Sequence, residues 1–189
     1  MTADGTSPSG NSAPQLEGLI IRAPERGDRD DILGVVRDAF SRDERDASEE
    51  LDIVLSTWEV GTAPYHLEFV AVADGIIAGH VLAAPGDLGG REVVAVAPLA
   101  VSPPFQRRGI GRSLMTRLLH GAEAADLPLV VLLGLPAYYG QFGFEPSGPL
   151  GICYPTVGED NPHFLVRRFA SYDPSYRGDF TYRWETAQG

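Results

Sequence analysis

The stretch from Leu99 to Met115 reads Leu-Ala-Val-Ser-Pro-Pro-Phe-Gln-Arg-Arg-Gly-Ile-Gly-Arg-Ser-Leu-Met, and it leaves few folds open. An apolar strand ends, two prolines force a turn, and a basic, glycine-rich loop opens a helix. Leu114, Met115, Leu118 and Ala122 then fall at helical spacing. Such a strand-loop-helix unit builds an anion cradle. The first N–H groups of a helix have no partner within it, and the helix dipole adds positive potential there. Gly109 and Gly111 let a backbone approach a phosphate closely, while Arg107, Arg108 and Arg112 gather positive charge in a chain of formal net charge -11. The loop is not a dinucleotide fingerprint, because Leu114 stands where the third glycine belongs, and it lacks the Gly-Lys-Ser/Thr of a Walker loop. Local physics alone leaves two readings level: a phosphate cradle, or a glycine-rich helix entry with solvated arginines.

The elements around this unit alternate in period. Leu19–Arg22 is a short β-like run closed by Pro24. Asp28–Phe40 reads as a helix, capped by Asp28, with Ile32, Val35, Val36 and Ala39 on one face. A second helix spans about Ala47 to Trp58. The pattern then turns to strands. Glu68–Ala73 and Ile76–Ala84 flank the hairpin signal Asp74-Gly75, and a second turn covers Gly86–Gly90. Glu92–Val101 is a third strand, interrupted by Pro98. Proline cannot donate to a sheet ladder, so this strand is expected to bulge or splay there. A helix follows over Gly111–Ala125. Next come the wholly apolar strand Leu129–Leu133, one or two helical turns over Pro136–Phe142, and extended pieces at Phe164–Val166 and Phe180–Trp184. There are no internal repeats, and the order predicts an α+β fold with a mixed central sheet.

Bulk properties narrow the function. At 189 residues, one domain over 19–189 is expected after a disordered segment at 1–18 that is rich in Thr, Ser, Gly, Pro and Ala. That segment has no basic start and no apolar core, and no apolar run approaches the roughly 18 residues of a membrane span, so a cytoplasmic location is expected. The single cysteine, Cys153, precludes an internal disulfide, and one Cys with four scattered His offers no zinc spacing. The acidic balance argues against nucleic-acid binding. It suits cationic partners, and equally plain solubility.

Three motifs in order carry a resemblance. Gln106-Arg107-Arg108-Gly109-Ile110-Gly111 matches Gln/Arg-x-x-Gly-x-Gly/Ala. Leu99-Ala100-Val101 followed by Ser-Pro matches the strand that leads into that loop, and Tyr139-Gly140-Gln141-Phe142-Gly143-Phe144 matches Tyr-x-x-x-Gly-Phe. The chain thus resembles the GNAT N-acetyltransferases, most closely over about 69–144. The resemblance implies the GNAT fold, with a mixed, mostly antiparallel central sheet flanked by helices and splayed at the acyl-CoA site. It also implies acetyl-CoA as acyl donor, an amine as acceptor, and no metal. Backbone amides from Arg107 through Arg108, Gly109, Ile110, Gly111 and Arg112 to Ser113, with Gln106 at the entry, would hold the pyrophosphate. Leu99 and Val101 would pair with the pantetheine arm, and the amide of Leu99 or Ala100 would polarise the thioester. Tyr139 would protonate the departing thiolate, while Tyr138 is expected to pack. Homodimers are frequent among such proteins.

An amine must be neutral to attack, so a proton acceptor is sought among Glu68, His80 and Glu92, on or beside the central strands. His80 is the best tuned for neutral pH, although a lone strand histidine is more often structural. Glu68 and Glu92, at strand starts, are expected to be solvated. The charged run Arg42-Asp43-Glu44-Arg45-Asp46 with Glu49 and Glu50 suits either a cationic acceptor or a solvated helix surface. Tyr154, His163, Tyr172, Tyr176, Tyr182 and Trp184 would line an acceptor pocket or close a small core. Leu135 departs from relatives that carry a polar residue before Pro136. The competing function is a non-catalytic acyl-CoA-binding or sensing module of the same fold. A Gly-x-Ser-x-Gly hydrolase elbow is absent.

Overall fold

A computed structural model of the chain describes residues 18–41, 46–62, 64–158 and 161–186. The expected disordered lead-in and the Arg42–Arg45 part of the charged run therefore lie outside the described residues, Gly18 excepted. Among the described residues nine strands appear in order: β1 (Ile20–Arg22), β2 (Glu68–Ala73), β3 (Ile76–Leu88), β4 (Arg91–Val101), β5 (Leu129–Leu133), β6 (Glu145–Pro146), β7 (Ile152–Cys153), β8 (Phe164–Arg168) and β9 (Gly178–Tyr182). The helices are α1 (Arg29–Phe40), α2 (Ser48–Val60), α3 (Ile110–Ala124), α4 (Pro136–Tyr139) and α5 (Arg183–Thr186). The sheet runs β1-β2-β3-β4-β5-β8-β6, with β9 on β3 and β7 on β9. Its pairs are antiparallel except β4–β5 and β7–β9, which gives the mixed, mostly antiparallel sheet expected of the sequence. Among the described residues no helix is long and apolar enough to cross a membrane.

The two sheet faces carry separate cores. Period-2 alternation sends Phe69, Ala71, Val81 and Ala83 to one face, where Ile110, Leu114, Met115, Leu118 and Leu119 of α3 cover them. Val70, Leu82 and Ala100 point to the other face, under Ile32, Val35 and Val36 of α1 and Val54 of α2. A third cluster joins β8, β9 and Tyr154 to the far ends of β3 and β4, so most of the C-terminal aromatics close a core. The approach of α3 depends on Gly79. A Cβ there would lie 2.9 Å from Leu114 Cδ1 and 3.1 Å from the Ala100 carbonyl oxygen. The bare backbone lets the N-terminal end of α3 settle against β3 and beside the end of β4.

One boundary differs from expectation. β3 runs through Pro85 and Gly86 to Leu88, and the turn shrinks to Gly89-Gly90. Gly86 is a packing residue rather than a turn residue, since a side chain there would collide with Phe180 and with the Thr181 carbonyl of the neighbouring strand. β4 runs from Arg91 to Val101 with the irregularity expected at Pro98. Its irregularity is a bulge: Val81 pairs with Leu99 and Ala83 with Val96, so Ala97 and Pro98 together oppose Leu82.

Candidate active site

β4 is paired with β5 only at Val94↔Val130 and Ala95↔Val131. β5 pairs with β8 along its other edge from Leu129 to Leu133, while β4 continues to Val101 with no β5 partner. The sheet splays here, directly after the bulge at Ala97–Pro98. Amide directions alternate along a strand, so one bond fixes the rest. Ser102 N–H donates to the Ala78 carbonyl at 3.0 Å, which turns the amide of Ala100 toward β3 and those of Leu99 and Val101 toward the open edge. The Val101 carbonyl on that edge accepts from Gln106 Nε2 at 2.9 Å. Leu99 thus keeps an outward N–H, whereas the Ala100 N–H is committed to β3 and is removed from the thioester-polarising candidates.

The cradle lies at the end of the same edge. Arg107 and Gly109 both take left-handed backbone angles, with φ of 58° and 87°. Gly109 caps α3, which starts at Ile110, one residue before the expected start. Alternating handedness of this kind turns successive N–H groups toward one point, and the first-turn amides of α3 add to them. Ser113 N–H already bonds the Gly109 carbonyl at 3.0 Å, so it closes the first helical turn and is not available to a ligand. Arg107, Arg108 and Arg112 are exposed around this point, and Arg108 lies over the Phe105 ring at 5.7 Å. Ile110 is buried and anchors the helix start in the core.

Tyr138 and Tyr139 divide differently from a simple packing pair. A Cβ on Gly111 would sit 3.0 Å from the Tyr138 hydroxyl and 3.6 Å from Val101. Tyr138 therefore reaches the cleft between β4 and α3 with its polar tip, where packing alone was expected. Burial pushes its phenol up and Arg112 opposes the shift. Tyr139 stands edge-on to Tyr138 and to Phe144, with its ring against Gly134 and the α3-side core. Burial raises its phenol well above the usual range, so it stays protonated throughout the neutral range, as a proton donor requires. Leu133, Leu135 and Tyr138, exposed apolar side chains at the end of β5 and on α4, form the opposite lip of the splay.

On the other face of the sheet the sequence reading missed a network. Glu68 is not solvated: one oxygen, Oε1, accepts from Trp58 Nε1 at 2.9 Å and lies 2.9 Å from His80 Nε2. The Glu68 side chain is 12% exposed and His80 is fully buried. Glu92 by contrast is exposed and paired with Arg183 at 2.9 Å, in keeping with a solvated position. A cleft of about 190 Å³ opens beside Glu68 and Trp58 and is rimmed by Arg26 and Arg29, with Arg29 lying 4.7 Å over the Trp58 ring. A larger cleft of about 370 Å³ between α1 and the β2–β3 hairpin carries Asp28, Asp30, Asp31 and Asp38. The signal for the network was present in Glu68 and His80. Their meeting depends on a register shift at Ala71/Val72 that no residue announces. Among the described residues no group of three or more His, Cys, Asp or Glu side chains is placed to hold a metal ion.

The sheet thus splays beside a helix N-terminus, with an extended edge on one side and an anion cradle at its end. Residues 31–144 match the Acetyltransferase (GNAT) family, and the chain belongs to that family. It is 31% identical to YjhQ of Escherichia coli K12, an uncharacterized N-acetyltransferase, over 82% of this chain and 86% of that protein. Among solved structures it is similar to the GNAT-family YhbS of E. coli in complex with CoA, with TM-score 0.77, 28% identity, and 94% and 96% of the two chains covered. It is likewise similar to a GNAT-family acetyltransferase from Brucella melitensis in complex with acetyl-CoA, with TM-score 0.71, 28% identity, and 87% and 96% covered.

Proposed function

We propose that residues 19–189 act as one acyltransferase domain that moves an acetyl group from acetyl-CoA to an amine by direct attack on the thioester. The observation that carries this reading is the junction of the open β4 edge with the α3 cradle. Outward backbone groups of Leu99 and Val101 suit an amide-bearing arm, and the amides from Arg107 to Arg112 suit its pyrophosphate. Attack by the amine builds charge on the carbonyl oxygen, and the Leu99 N–H is the donor left to meet it. The C–S bond then breaks and Tyr139, held protonated by burial, gives its proton to the sulfur. The carboxylates of the larger cleft favour a cationic acceptor.

The test is calorimetric titration with acetyl-CoA of the wild type, an Arg108→Glu/Arg112→Glu variant and Tyr139→Phe. The charge reversals should weaken binding by about 10- to 100-fold. Tyr139→Phe should bind like the wild type and release thiol about 100-fold more slowly. A folded wild type that binds no acetyl-CoA refutes the reading. Binding without transfer to any amine would leave the sensing module.

A further inference from the structure

The buried groups beneath α2 are unlike those elsewhere in the core. α2 presents Glu50, Val54 and Thr57 to the sheet, so two of its three buried residues are polar. Next to them His80 has no exposed surface, and its Nδ1 has no hydrogen-bond partner; neither does the Thr57 hydroxyl. Buried polar atoms are nearly always satisfied, so a lone imidazole nitrogen in a core calls for a reason. Its other nitrogen is fixed. An ionised carboxylate only accepts, so across the 2.9 Å contact His80 Nε2 donates to Glu68 Oε1, and the neutral imidazole then carries its lone pair on Nδ1. Trp58, bonded to the same oxygen, fixes the carboxylate in turn.

The place of this pair matters as much as its chemistry. His80 lies directly across from Ala100 on β4, in a hydrogen-bonded pair whose Cα atoms stand about 5.5 Å apart. Ala100 lies between Leu99 and Val101, the two residues whose backbone groups face the splay. The imidazole is therefore one strand in from the open edge, on the face of the sheet that Ala100 shares. On the far side Glu68 lines the cleft that opens to solvent between α1 and α2. Open edge, His80, Glu68 and the cleft follow one another across the sheet.

We propose that His80 is the proton acceptor for the amine and that Glu68 passes the proton to solvent through this cleft. The inference rests on the acetyl-transfer reading. The incoming ammonium gives one proton to Nδ1, which frees its lone pair. His80 sheds its Nε2 proton to Glu68, which releases it to water in the cleft, and the imidazole returns to neutral. The amine nitrogen bonds to the carbonyl carbon as the C–S bond breaks. The second proton it loses balances the one delivered to the thiolate.

Two small acceptors separate a base from a structural tie: ethylamine, almost wholly ammonium at neutral pH, and hydroxylamine, which is largely unprotonated and needs no base. Thiol release from acetyl-CoA above the enzyme-free rate, which hydroxylamine itself makes substantial, is followed with each for the wild type, His80→Gln and Glu68→Gln. Gln at position 80 can still donate to Glu68 and has no basic nitrogen. His80→Gln should lose about 100-fold with ethylamine and less than about threefold with hydroxylamine, and Glu68→Gln should follow the same split more weakly. Equal loss with both amines, or no loss with either, overturns the proposal while the acetyl-transfer reading stands. A wild type that binds acetyl-CoA and acetylates neither amine counts against His80 as the base for a simple amine, and leaves acetyl transfer to be judged with other amines. Calorimetric acetyl-CoA binding certifies that each variant is folded. Where His80→Gln fails that check, the split in Glu68→Gln decides.

Discussion

The two faces of the sheet differ in what they bury. The α3 face is wholly apolar, from Phe69 and Val81 through Leu114, Met115 and Leu118 to Phe144. The α1/α2 face buries a smaller apolar cluster together with Glu50, Thr57 and His80, and Asp28 is buried at the start of α1. The same strands serve both, since alternate residues of β2, β3 and β4 point to opposite sides. One face is optimised for packing and holds the cradle rigid. The other gives up packing for polar groups, one of which is left without a partner beside the reacting edge.

The largest effect expected on this contrast comes from the apolar face. Leu118→Ala, at a side chain with no exposed surface, should cost about 2–5 kcal/mol in urea unfolding. A cost below about 1 kcal/mol would mean that α3 is not packed as described. Thr57→Val tests the polar face with the opposite sign. Its hydroxyl has no partner, so a methyl in its place should leave stability unchanged or raise it by up to about 1 kcal/mol. A comparable loss would reveal a bond to that hydroxyl and weaken the contrast. The smallest effect belongs to Asp28, which takes a two-pronged contact from Arg22 at 2.6 and 3.1 Å and the Glu25 N–H at 2.7 Å. These bonds, Arg22 first, hold its carboxyl below the usual range. A depressed carboxyl adds stability that is complete above its unfolded value near about 3.9 and is lost as pH falls through the folded one. Asp28→Asn should therefore cost about 0.5–1 kcal/mol at neutral pH, with a deficit that closes in acid. A deficit that persists at low pH would trace to the cap geometry, not to the charge.

The apolar face was the legible one. Helical spacing named Leu114, Met115 and Leu118 there, as it named Ile32, Val35 and Val36 of α1 on the other face, and each is buried. The Gly109/Gly111 loop, the Asp74-Gly75 hairpin and the bulge at Pro98 were readable because glycine admits backbone angles that other residues avoid and proline cannot donate to a ladder, both of them local effects. The Glu68–His80 contact was not. Counting back from the hairpin pair Ala73↔Ile76 without interruption would set Phe69 against His80, and so place the histidine under α3. The register shift at Ala71/Val72 pairs Val70 with His80 instead and turns the imidazole to Glu68's side. Gly86 was misread for a similar reason, because Phe180, the residue that needs its missing side chain, lies far along the sequence. The hydroxyl of Tyr138 found the cleft because Gly111 leaves room for it, a contact between elements that spacing alone does not encode.

The unpaired run of β4 has one more consequence. An open strand edge ordinarily invites a second chain to add to it, which is how sheets stack into aggregates. Here the bare edge ends against the basic loop at Arg107–Arg112 and faces β5 across the splay, with Leu133, Leu135 and Tyr138 along the opposite lip. A polypeptide strand brings side chains above and below its plane and needs clear space along its whole length. A slender arm without side chains does not. The fold thus keeps a reactive edge exposed to a thin ligand and sterically closed to its own kind.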